Sequence, residues 1–284
     1  MGNKDILPSR EFGLIMGLII GKFCLKMEDL HYGYWTDDLP VEVQNLPKAQ
    51  AQYTEVLIGN IPEGVRTILD VGCGTGHTAR KLLDRGYQVD CVSPNPHLTK
   101  LAKEKLGDQS TIFECRYQEL DTDRKYDLVL FSESFLFIHP AEAGMKMSER
   151  ILNKDGHILI TDVFKMTPDG QSPIGGGHHM HIFHDTFSNS PFKLLKEDDI
   201  TKNIAPTFDV LNDAYTQCIK PAYDLLMTRF KASYPLAMKF ILWKFRAKFE
   251  KIEQKHFSGK RTAANFAKYK SYRLFLFQKV QANS

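Results

Sequence analysis

The segment Thr67-Ile-Leu-Asp-Val-Gly-Cys-Gly-Thr-Gly76 constrains the fold of this chain more than any other stretch. A short β-branched apolar run ends in an acid, three glycines alternate with other residues, and an amphipathic helical stretch follows. This reads as strand, turn and helix, with glycines where the backbone must approach a ligand closely. The spacing is G-x-G-x-G with an acid two residues before the first glycine, whereas a dinucleotide fingerprint needs G-x-G-x-x-G, so a pyrophosphate ligand is disfavoured. A carboxylate at Asp70 is instead placed to meet a cationic group, directly or through water.

The surrounding pattern repeats this unit. Between about Pro62 and Val163, apolar runs at Thr67–Val71, Gln88–Val92, Ser110–Cys115, Tyr126–Ser132 and His157–Val163 alternate with helical stretches near Thr75–Arg85, Pro96–Leu106 and Pro140–Leu152. Such alternation predicts an α/β fold, a doubly wound, mostly parallel Rossmann-like sheet. Residues 1–60 read as an N-terminal helical segment with one helix ending near His31 and another over Val41–Ile58. Residues 61–165 form the core and residues 166–270 a His-rich loop and helical cap. Residues 271–284 hold a final strand, Ser271–Phe277, expected at an antiparallel edge, and a tail.

Asp70-Val-Gly-Cys-Gly-Thr-Gly76 resembles motif I of the class I S-adenosylmethionine-dependent methyltransferases, in residues and in context. The resemblance continues through Val92-Ser-Pro-Asn95, Tyr126-Asp-Leu-Val129 and Leu152-Asn-Lys-Asp-Gly156, about a hundred residues. Upstream, His31-Tyr-Gly-Tyr-Trp35 is similar to the H-x-G-x-W segment of members acting on small molecules and lipids, of the tocopherol, sterol and cyclopropane-fatty-acid type. The resemblance implies S-adenosylmethionine as methyl donor. It implies Asp70, Gly72, Cys73 and Gly74 as cofactor contacts, joined by Ser132 and by Tyr34 and Trp35 of a segment that folds over the cofactor. Two positions depart from the family pattern. Cys91 stands where an acid usually binds the ribose hydroxyls, leaving Ser93 or a backbone group to replace it. Adjacent Asp90 points to the opposite face by strand alternation. After the third strand, Arg116-Tyr-Gln-Glu119 offers Gln118 for the adenine amino group and Tyr117 as a stacking face.

Methyl transfer from a sulfonium is an in-line displacement, so alignment and desolvation carry much of it, and a base is needed only when the nucleophile must lose a proton. Phe131-Ser-Glu-Ser-Phe-Leu-Phe-Ile-His139 follows the fourth strand at the carboxyl edge, where α/β sheets bind ligands. Glu133 matches a glutamate that sterol- and tocopherol-type relatives carry there, and the ordinary pKa of His139 suits a general base near neutrality. A plain helix-start role before Pro140 competes for His139. Four imidazoles, His178, His179, His181 and His184, are numerous enough to ligate a metal. Apart from Asp185 they lack Cys, Asp or Glu companions, and Gly175-Gly-Gly177 beside them favours a mobile lid or a solvated loop.

The chain has 37 basic and 34 acidic side chains in 284 residues, a net +3 that does not by itself imply nucleic acid. The charge is unevenly placed: from Arg229 to Arg261 there are ten Lys or Arg and two Glu, a net +8. Within that stretch Met238, Ile241, Leu242, Phe245, Phe249 and Ile252 recur at helical spacing, as in a cap over an apolar pocket, a membrane-surface contact, or a core-facing helix with a basic back. Five cysteines without paired spacing and no secretory signal lead to the expectation of a cytoplasmic protein, with membrane association through apolar helices as an option. The leading reading is methyl transfer to a small apolar or amphipathic acceptor at O, C or N. An RNA or protein methyltransferase docking through the basic helix, and a non-catalytic cofactor-binding protein, are the alternatives.

Overall fold

The computed structural model describes residues 9–169 and 171–280. Its elements in order are α1 (Ser9–Leu25), α2 (Leu46–Ile58), β1 (Thr67–Val71), α3 (His77–Asp84), β2 (Gln88–Val92), α4 (Pro96–Leu106), β3 (Ile112–Phe113), β4 (Tyr126–Ser132), α5 (Ala141–Ile151) and β5 (Leu152–Lys165). There follow β6 (His178–His179), α6 (Met180–Ser188), β7 (Phe192–Asp199), α7 (Thr201–Ile204), α8 (Pro206–Asp213), α9 (Lys220–Ser233), α10 (Pro235–Lys244), α11 (Arg246–Ile252), α12 (Ala263–Tyr269) and β8 (Lys270–Lys279).

The sheet runs β3-β2-β1-β4-β5-β8-β7, with the short β6 paired to β5. Strands β1 to β5 are parallel, and β8 is antiparallel to both β5 and β7. The parallel strands are apolar on successive residues because both faces are covered. Leu69, Val71, Val129, Phe131, Ile158 and Ile160 enter one buried cluster with Met145 of α5 and Phe183 of α6. Ile68, Leu128, Leu130 and Leu159 enter the other with Leu57 of α2, Leu82 of α3 and Ala102 of α4.

The structure departs from the sequence expectation at five places. The final strand is not at the edge: β8 lies inside, and the edge is β7, whose Lys193-Leu-Leu-Lys-Glu-Asp-Asp199 is charged and largely exposed, as an unpaired edge tolerates. The third strand shrinks to Ile112–Phe113. The His-rich stretch is no loop, since β6 and α6 occupy it. The first helix ends at Leu25, not near His31; it buries Ile15 and Leu18 and exposes Met16, Ile19, Ile20 and Phe23. Of the six apolar residues expected on one face of the basic segment only Met238 is buried, so that segment does not face the core. No helix among the described residues is long and apolar enough to cross a membrane.

Candidate active site

At the carboxyl end of β1 the chain turns through Gly72, Gly74 and Gly76, all at positive φ. Gly72 donates its N–H to the Val92 carbonyl at 2.8 Å, which ties the turn to β2. A Cβ on Gly72 would lie 2.5 Å from Ser134 Cβ, so the close approach of this turn to the segment after β4 demands glycine. Beneath the turn, Asp70 is buried and burial raises its carboxyl to about 7. Among the described residues neither Asp70 Oδ2 nor Ser134 Oγ has a hydrogen-bond partner. Two buried polar atoms left unsatisfied on either side of a glycine turn are a ligand signature.

Beside them opens a cavity of about 390 Å³. The ends of β1 and β2 contribute Val71, Gly72 and Val92; the segment after β3 contributes Arg116, Tyr117 and Gln118; the turn after β4 contributes Ser134, Phe137, Ile138 and His139. The structure thus brings Gly72, Tyr117, Gln118 and His139 together. Tyr117 is anchored, its hydroxyl 2.8 Å from Ser148 Oγ and its ring edge-on to Phe131. His139 is exposed, its ring tilted against that of His178 at 4.6 Å, and His178 Nε2 is 3.1 Å from the Phe135 carbonyl oxygen.

Other sequence candidates lie apart from the cavity lining. Ser93 is buried, and its Oγ accepts weakly from Asn95 N–H at 3.4 Å. Cys73 and Cys91 pack with Ala79 and Leu82 in the helix-facing cluster. Asp90 accepts from Thr111 N–H, Tyr126 Oη and Arg124 Nη1 at 2.7 to 3.0 Å, fully committed away from the turn. Trp35 is buried against Leu46, Ala49 and Val210, and its indole N–H donates to Thr207 Oγ1 at 2.9 Å. Thr207 also accepts from Gly33 N–H at 3.1 Å, while Trp35 and Asn203 exchange two further hydrogen bonds. The His31–Trp35 segment is therefore pinned to α7 and α8. Gly33 is required there, because a Cβ would stand 2.6 Å from Ala49 Cβ. Tyr34 packs against the third buried cluster, around Tyr53, Phe208, Phe266 and Tyr272.

Glu133 sits one residue beyond β4 with φ 54°. Its Oε1 accepts from Tyr32 N–H at 2.9 Å and Tyr272 O–H at 2.8 Å. Tyr53 Oη bridges Tyr272 Oη, Thr161 Oγ1 and Ser132 Oγ at 2.9, 2.6 and 3.1 Å. Burial pushes the Glu133 carboxyl up, and the His31 charge and the two donors pull against it. Sequence reasoning missed Tyr53, Tyr272 and Ser134. Nothing local marks the tyrosines, since they lie on α2 and β8 and meet Glu133 only through the fold.

His31 was quoted for its motif but not for a role. Its Nδ1 is 2.8 Å from the Tyr32 carbonyl oxygen and its Nε2 3.3 Å from Asp29 Oδ1. Burial opposes the imidazolium, but Asp29, Glu133 and that carbonyl outweigh it and hold the pKa above the usual value. Asp29 is held low: burial would raise it, yet His31, His77 and Lys81 prevail. A raised histidine stabilises the fold fully below its unfolded pKa and loses this contribution as pH rises through the folded one. Denaturation of His31→Gln beside the parent should therefore show a stability deficit that is large near about pH 6 and closes in alkali. A deficit that grows with pH would contradict the pair.

Among the described residues no group of three or more His, Cys, Asp or Glu is arranged to hold a metal. The four histidines of the 178–184 stretch diverge: His178 faces Phe135 and His139, His179 lies 3.4 Å from Asp169, the His181 ring is 5.6 Å from that of His179, and His184 lies 3.7 Å from Glu197.

Known proteins share this fold. Residues 69–160 match the family described as Methyltransferase domain. An uncharacterised methyltransferase of Bacillus cytotoxicus is 29% identical over 114 residues, 39% of this chain and 54% of that protein. The chain thus spans about half the length of the curated relatives it matches. Among solved structures, geranyl diphosphate C-methyltransferase from Streptomyces coelicolor A3(2), with Mg2+, geranyl diphosphate and S-adenosyl-L-homocysteine, aligns over 92% of this chain and 93% of its own at TM-score 0.65 and 14% identity. The [4+2]-cyclase SpnF aligns over 96% of each chain at TM-score 0.66 and 15% identity, so the same fold also serves a cyclase. Residues 69–160 of this chain thus match a methyltransferase domain, and the sheet order and glycine turn place that match on a Rossmann-like methyltransferase fold.

Proposed function

We propose that this chain methylates a small apolar or amphipathic acceptor with S-adenosylmethionine as donor. The observation that carries the reading is the turn itself: a glycine cradle that a Cβ would fill, flanked by the unsatisfied Asp70 Oδ2 and Ser134 Oγ, opening on the cavity at the carboxyl ends of β1, β2 and β4. Asp70 would hold the donor's amino group, Gly72 and Gly74 would admit its backbone-hugging part, and Tyr117 and Gln118 would border its base. When bound, the donor would supply a sulfonium methyl: the acceptor's lone pair forms the new bond to carbon and the carbon–sulfur pair stays on sulfur, leaving a neutral thioether.

The chain's own residues align, desolvate and deprotonate. The stretch before α2 covers the glycine turn: Thr75 Oγ1 donates to the Glu28 carbonyl at 3.0 Å, and Leu30 lies over Gly74. Helices α7 and α8, to which the His31–Trp35 segment is pinned, supply the other cover. Glu133 is bonded to Tyr32 and Tyr272, which share one apolar cluster with Phe208 and Leu136, surroundings that favour an apolar acceptor. Glu133 takes the proton if the acceptor is a hydroxyl or an activated carbon; His139, at the cavity rim, is the alternative base. An amine already deprotonated needs neither.

The test is a melting-temperature titration with S-adenosylhomocysteine, followed by an acceptor screen read by homocysteine-product formation. A ligand at 100 times its Kd adds about 2.7 kcal/mol of apparent stability, so no shift at saturation removes the reading. The same titration probes Asp70. Because the free carboxyl titrates near 7 and only its ionised form attracts an ammonium, affinity should rise roughly tenfold between about pH 6 and pH 8. A pH-independent affinity over that range would detach Asp70 from the donor.

A further inference from the structure

Helices α9, α10 and α11 form an arm that the methyltransferase reading does not use. α9 packs against α10, and at the base Lys220 Nζ reaches Glu253 Oε1 at 3.4 Å while the Tyr223 and Phe257 rings lie 5.7 Å apart. Within the three helices Met238 is the single buried side chain. Leu236, Trp243 and Leu225 are 83%, 73% and 72% exposed, and Leu226, Phe230 and Phe240 are exposed beside them. A soluble surface scatters such residues singly; a concentration of this kind marks a binding face.

The charge on the arm says what covers it. From Arg229 to Lys251 there are seven Lys or Arg and one Glu, a net +6, and that Glu250 is held by Arg246 of its own helix at 2.7 Å. Lys244 stands over the Phe240 and Phe245 rings and Lys248 over Phe245, so cations and apolar side chains share one surface. We infer that this arm docks on an anionic lipid bilayer, its aliphatic and aromatic side chains entering the headgroup boundary and its lysines lying among the lipid phosphates. An isologous contact with a second copy would set +6 against +6. RNA would satisfy the cations and the rings but leave Leu225, Leu226 and Leu236 in water. The helices have 14, 10 and 7 residues, which suits lying on a bilayer and not spanning it.

The inference stands apart from the proposed activity and is tested without it. The full chain is sedimented with vesicles of phosphatidylcholine alone or mixed with phosphatidylglycerol, and tryptophan emission is recorded. The chain has two tryptophans and Trp35 is already buried, so a blue shift on vesicle addition reports Trp243. Expected are at least about tenfold greater partition onto the anionic vesicles, its loss at high salt, and the blue shift. Leu236→Glu with Phe240→Glu, and separately Lys239→Glu with Lys244→Glu, should each remove the partition while leaving the melting temperature near the parent's, because all four side chains are exposed. Equal partition onto both vesicles, or none, overturns the inference. So does a dimer that shifts Trp243 emission without lipid, or RNA binding that survives Leu236→Glu with Phe240→Glu.

Discussion

Gly72→Val is expected to abolish S-adenosylhomocysteine binding, seen as a melting temperature that no longer responds to ligand. Two effects combine. The residue holds φ at +78°, which costs an L side chain about 1–2 kcal/mol, and its Cβ would collide with Ser134 at 2.5 Å, moving one wall of the cradle. Gly86→Ala separates strain from collision, because Gly86 has φ +89° with nothing within 4 Å of its Cβ: it should destabilise the fold yet leave binding intact. Gly74→Val carries the same expectation with a softer contact, Leu30 Cδ1 at 3.6 Å. If Gly72→Val destroys the fold, Gly72→Ala is read instead. A folded Gly72 variant with parental affinity would take the turn out of the cofactor site.

The second large effect belongs to Glu133. Glu133→Gln keeps an oxygen for Tyr32 N–H and Tyr272 O–H but cannot take a proton, so turnover should fall about 10²- to 10⁴-fold while cofactor affinity stays near the parent's. Tyr272→Phe discriminates a base from a mere strut. The tyrosine hydroxyl holds the Glu133 carboxyl down against its burial, so removing it should move the acid limb of the pH–rate profile to higher pH. A loss of rate in Glu133→Gln without any movement of that limb in Tyr272→Phe would leave Glu133 a brace for the N-terminal segment, and His139→Ala would then be the variant expected to lose turnover.

The parallel core was legible because its signals are local. β1, β2, α4 and β4 begin and end where periodicity and capping put them, with Asn95 accepting from His97 and Leu98 N–H ahead of Pro96. β7 was not legible, because an edge strand carries Lys193, Lys196 and Glu197 like a solvated loop. The arm misled in the opposite sense: its apolar spacing resembles a core-facing helix, and only three-dimensional packing shows that of those side chains Met238 alone is buried. At the site, Asp70 and Gly72 were readable from spacing. The partners of Glu133 were not, since Tyr32 and Tyr272 are 101 and 139 positions away. Trp35 illustrates the limit of a motif, which marks an indole without saying that Thr207 receives its N–H.

That threonine has a kinetic consequence. Thr207 Oγ1 is bonded to both Gly33 and Trp35, and Asn203 doubles the tie, so the His31–Trp35 strap and helices α7 and α8 share one fastening. Two leaves hinged to a common latch do not swing independently. Under the proposed function, donor and acceptor would then exchange through one opening event, and the release of that latch would pace turnover.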